Sequence, residues 1–153
     1  MSIEISADDL NRIIARWSSY DIPMGAPKKI NELGMKAVNN IFDMILLLGD
    51  NTDYTLGKEL GSIVIRPFLL CYFIGYELAS RKMSRADGTL YLIAATDPID
   101  NFALNILGIL VAKGIISQEK GMDMASGFAW LLGEASNDIC IFGIENFRKI
   151  GYR

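Results

Sequence analysis

Carboxylates and two thiols are the side chains here that could do chemistry, together with a few glycine- or acid-rich turns. Glu134 and Asp138 stand four apart, so a helix would set both carboxylates on one face, as in an acid/base pair. A helix start, whose dipole favours acids, explains such a pair more simply, and no nucleophile accompanies it. The His count is 0. That removes Ser-His-Asp and Cys-His nucleophiles, histidine-ligated metals and haem, and the Glu-x-x-His pairs of carboxylate-bridged metal bundles. Cys71 and Cys140 lie inside apolar runs and read as small core residues. Gly57-Lys58 lacks the earlier glycine and the preceding strand of a phosphate loop. The acidic turn at 50–53 has Thr52 and Tyr54 where a calcium loop needs oxygen ligands, so it reads as a solvated turn. The expectation is a protein that is not an enzyme, with no catalytic residue, cofactor or metal.

Helices have to position whatever remains. Ser6 with Asp9 forms a capping box, followed by Leu10, Ile13, Ile14 and Trp17 on one helix face. Residues 21–27, with two prolines and a glycine, end that element, and Pro27 suits the first turn of the next. Ile30, Leu33, Ala37, Ile41, Met44, Ile45 and Leu48 then line a face down to Gly49. Pro67 predicts either two helices or one sharply kinked helix meeting at Arg66-Pro67. The stretch 67–76 is apolar all round, which marks a buried central helix at about 67–79. It falls short of the roughly 20 apolar residues that span a bilayer. Glu77 and Arg81 read as an i, i+4 ion pair, and Arg66 as a snorkelling side chain.

Further on, Asp97-Pro98 with Asp100 has the composition of a helix start, after a charged connector at 81–88. Gly114 and Ile115 suit a Schellman end, and Ser117 caps the next helix. Gly133 and Ser136 predict a break before a last helix with Ile139, Phe142 and Phe147. Gly121, Ala125, Ala129 and Gly133 form a smooth ridge, read as close packing inside the bundle. No segment alternates with period two. The fold class is therefore all-α: one domain over 1–153, a globular bundle of about six to eight helices.

Residues 129–142 also have the packing spacing of a helix-turn-helix, with Ala129, Gly133, Ile139 and Phe142 across the turn. A DNA-reading helix there would begin Asn137-Asp138. Between Gly121 and Phe147 there are four acids and no base, which repels a phosphate backbone. A tight helical corner fits better.

Net charge is -3, and the acids are segregated into base-free stretches, with bases at 28–29, 81–85 and the C-terminus. An acidic face steers a basic protein partner and raises its association rate. The expected function is a small binding protein, with immunity proteins and antitoxins that neutralise a basic nuclease-like toxin as the concrete example. Asp97, Asp100, Glu134, Asp138 and Glu145 are the candidate partner-binding residues. Nucleic acid and membrane are not expected partners, and a homo-oligomer is left open. The acidic N-terminus and the two lone cysteines suggest the cytoplasm. The alternatives are a regulatory bundle holding a small apolar ligand, given 7 Met, 7 Phe and 6 Tyr, or a transcription regulator using 129–142.

Overall fold

Ser6 accepts a hydrogen bond from the Asp9 N–H at 3.2 Å while the Asp9 carboxylate takes the Ser6 N–H at 3.0 Å. This box opens α1 (Ala7–Ala15) in the computed structural model, which describes residues 5–49 and 53–150, with no side-chain description for 53 and 54. A 3-10 turn at Trp17–Ser19 follows, then α2 (Ala26–Leu47), α3 (Asp53–Ala79), α4 (Arg85–Ala112) and α5 (Gln118–Ile150). Most of the acidic turn at 50–53 lies outside the described residues. There is no strand among the described residues, so the all-α class holds.

The helices are fewer and longer than six to eight, because Pro67, the Asp97-Pro98 pair read as a helix start, and Gly133 with Ser136 all sit inside helices. Pro67 lies within α3 and Pro98 within α4. Proline in a helix interior costs about 3 kcal/mol in lost bonding and clash. Around Pro98, Ala95, Ile99, Ala103 and Ile106 are buried, and each large apolar side chain returns about 1.5–3 kcal/mol. Burial wins. Asp97 and Asp100 are thus mid-helix residues; the start of α4 is Ser84, whose hydroxyl accepts from the Asp87 N–H at 3.1 Å. Likewise α5 runs unbroken through Gly133 and Ser136. Glycine costs about 1 kcal/mol relative to alanine, too little to break a helix that buries Phe128, Leu132, Ala135 and Ile139. The Ser136 hydroxyl donates to the Gly133 carbonyl at 2.9 Å, so its polar group is satisfied inside the helix. With no turn between 129 and 142, the helix-turn-helix alternative falls.

The reversal read at Gly114 to Ser117 agrees with the structure. Gly114 has φ +71, and the Ile115 N–H reaches the Leu110 carbonyl at 2.9 Å, the long bond of a Schellman motif. Ser117 caps α5 through the Lys120 N–H at 3.0 Å. The end of α3 uses the same motif without glycine: Arg81 sits at φ +60, and the Lys82 N–H donates to the Glu77 carbonyl at 2.9 Å. Arg81 is therefore outside the helix, and the expected Glu77–Arg81 ion pair does not form.

α3 packs against α1, α2, α4 and α5. Its stretch Leu70 to Glu77 is buried on every side, as the apolar run requires. By length and composition α3 could cross a membrane, with mean hydropathy 1.4 over its most apolar window, but 61% of that window is buried by the other helices. That much burial is what a central core helix shows. The tightest contact joins α3 to α5, where Gly75 meets the Cys140 backbone and Gly143 meets the Tyr72 backbone. A polar chain crosses the same core: Asn146 Nδ2 donates to the Tyr72 hydroxyl at 2.8 Å, and Tyr72 lies 3.3 Å from the Tyr76 hydroxyl. Tyr76 in turn donates to the Asp21 carbonyl, fastening the connector before α2.

Candidate functional site: the outer face of α5 and two clefts

Because α5 is continuous, its two faces can be assigned from end to end. Phe128, Leu132, Ala135, Ile139, Gly143 and Asn146 face the core. Asp123, Trp130, Glu134, Asp138, Ile141 and Glu145 recur at intervals of three, four or seven on the opposite, exposed side. Trp130 is 65% exposed and Ile141 44%. No base occurs between Asp123 and Glu145. The outer face of α5 is thus an acidic stripe with a bare indole near its middle. Three of the five candidate partner-binding acids, Glu134, Asp138 and Glu145, belong to it.

Asp97 and Asp100 belong elsewhere. They line a cleft of about 210 Å³ between α4 and α5, whose other wall includes Ala129, Gly133 and Ser136. Each of these wall positions precedes a stripe position or its neighbour by one residue, a turn of about 100° around the helix. The five acids therefore form two adjacent groups rather than one cluster. Burial, with the Asp97 charge beside it, raises the Asp100 carboxyl above its ordinary value. The small-residue ridge does less core packing than expected: Gly121 is buried near Val111, but Ala129 and Gly133 are exposed and shape this cleft.

A second cleft, about 340 Å³, opens between α1, α3 and α4. Leu10, Ile14, Ile63, Pro67, Leu70 and Pro98 give it apolar walls, and among the described residues Arg66 is the one charged group in its lining.

The partners of one buried carboxylate escaped the sequence. Glu77 is 0% exposed, and its Oε1 accepts from Arg16 Nε at 2.7 Å and from the Tyr20 hydroxyl. These partners are 61 and 57 residues away, so no local pattern pairs them. Burial first, then the bond to Glu77, pushes the Tyr20 hydroxyl up to about 12. Glu77 Oε2 and Trp17 Nε1 are both buried without a hydrogen-bond partner among the described residues. Beside Glu77 the rings of Trp17 and Tyr20 pack on Phe73, with centroids 5.2 Å and 5.4 Å away. Glu77 fastens the segment after α1 to α3.

Both thiols are free and buried. Burial raises both, Cys71 the more because it is the more completely buried, with nearby Cys140 adding to the rise, which makes them poor nucleophiles. Among the described residues no three Cys, Asp or Glu side chains come together to hold a metal. No protein-family model, curated protein or solved structure matches the chain.

Proposed function

We propose that this protein is a small binding protein that captures a basic protein partner on the outer face of α5, in the manner of an immunity protein or antitoxin acting in the cytoplasm. The observation that carries this reading is Trp130, 65% exposed within a stripe of acids that no base interrupts. A tryptophan left in water has the area and rigidity of an interface anchor, and tryptophan is enriched among residues that dominate binding energy. The surrounding carboxylates supply long-range attraction and exclude acidic competitors. Asp97 and Asp100 of α4, across the cleft beside the stripe, extend the negative field and leave a cleft for one basic side chain. An acidic helix face of this kind mimics the charge of a nucleic acid, which suits a nuclease-like partner.

The test is titration of a purified basic protein that co-purifies with this chain from its native cell, at two salt concentrations. Trp130→Ala should weaken binding about tenfold or more through faster dissociation. The triple variant Glu134→Lys, Asp138→Lys, Glu145→Lys should slow association and lose its salt dependence, with an unchanged melting curve. Unchanged affinity and salt dependence in both variants would eliminate this face as the binding site.

A further inference from the structure

The cleft between α1, α3 and α4 holds both helix-interior prolines of the bundle. Pro67 of α3 and Pro98 of α4 line it together, and so do the residues four places earlier, Ile63 and Ala94. Proline carries no N–H, so neither the Ile63 nor the Ala94 carbonyl receives the bond that the residue four ahead normally donates. The two residues whose carbonyls lose that bond are thus both part of the lining. Beside Pro67, Arg66 is exposed and has no ion-pair partner among the described residues. Among the described residues no acid shares the lining with it. At about 340 Å³ the cleft is at the small end of ligand sites, which run from about 300 to 1,000 Å³.

We propose that this cleft binds a small apolar monocarboxylate whose ring system carries one N–H or O–H donor. The carboxylate pairs with Arg66, the ring lies against Leu10, Ile14 and Leu70, and the donor reaches a carbonyl released by Pro67 or Pro98. This site is separate from the outer face of α5 and does not depend on what binds there.

Calorimetric titration of the full chain with indole-3-acetate tests it, with naphthalene-1-acetate as a probe of similar shape that lacks the N–H. Indole-3-acetate should bind saturably at one site, and more tightly than the naphthalene acid. Arg66→Gln, a surface change expected to leave the melting curve intact, should weaken binding about tenfold or more. Ala94→Leu, which fills the cleft from its wall, should abolish it. Absence of saturable binding, or equal binding by wild type, Arg66→Gln and Ala94→Leu, would overturn the proposal. Equal affinity for the two acids would overturn the part assigned to the carbonyls.

Discussion

Gly143 of α5 lies directly against the backbone carbonyl of Tyr72 in α3, so close that a Cβ built on the glycine would overlap the carbonyl oxygen. Gly75 makes the reciprocal approach to the Cys140 carbonyl. Backbone cannot swing aside as a side chain can, so Gly143→Ala should push α5 off α3 and cost about 3 kcal/mol or more. Gly127, in the same helix, has nothing within 4 Å of its built Cβ. Gly127→Ala should instead stabilise by about 0.5–1 kcal/mol through helix propensity alone. Denaturation with guanidinium reads both, and opposite signs are expected.

Phe73 is 0% exposed and stands at the centre of an aromatic cluster with Trp17, Tyr20, Tyr72 and Tyr76. Phe73→Ala should cost about 3–5 kcal/mol, since the surrounding rings cannot collapse into the hole. A loss under about 1 kcal/mol in chemical denaturation would show that α3 is not the centre of the core.

Removing Arg16 leaves the buried Glu77 carboxylate with Tyr20 alone. Breaking a buried pair from one side costs about 3–5 kcal/mol; Arg16 is 41% exposed, so Arg16→Met should fall at the lower end. Glu77→Gln keeps the shape and removes the charge, and should cost less. A smaller loss for Arg16→Met than for Glu77→Gln in urea denaturation would overturn this account.

Asp100 provides a pH dependence with a definite sign. Its folded carboxyl is raised by burial and by Asp97, so the native state binds that proton more tightly than the unfolded chain does. The resulting stability is fully present below the ordinary carboxylate value and is lost as pH rises through the raised one. Asp100→Asn should therefore melt higher than wild type near about pH 7, and the difference should vanish near about pH 3. An equal difference at both values would contradict it.

Cys71 and Cys140 should resist thiol reagents in the native protein and react together on unfolding, because both are buried and raised. Labelling with a chromogenic disulfide across a urea series should follow the unfolding transition. Rapid labelling of both thiols without denaturant would place them outside the core.

Local devices were legible because they act over three or four residues. The Ser6–Asp9 box, the Gly114–Ile115 end and the Ser117 cap each appear where their spacing puts them. Ser84 with Asp87 repeats the Ser6–Asp9 spacing, and was masked by the stronger composition of Asp97-Pro98. The apolar run after Pro67 likewise identified the central helix, since only a surrounded helix can be apolar all round. The outer stripe of α5 was half visible: Glu134, Asp138 and Glu145 stood out as acids, but Trp130 joined them only once the helix continued through Gly133.

The sequence by itself determined the helical class, the buried central helix, the caps and the absence of histidine chemistry, all properties of composition or of neighbours along the chain. Only the tertiary structure decided whether Pro67, Pro98 and Gly133 end their helices, which acids share a face, and what Glu77 meets. The reason is one of magnitude and range. A breaker costs about 1–3 kcal/mol locally, and the burial that outweighs it comes from other helices. A buried carboxylate finds its cation 61 residues away, where no periodicity along the chain can point to it.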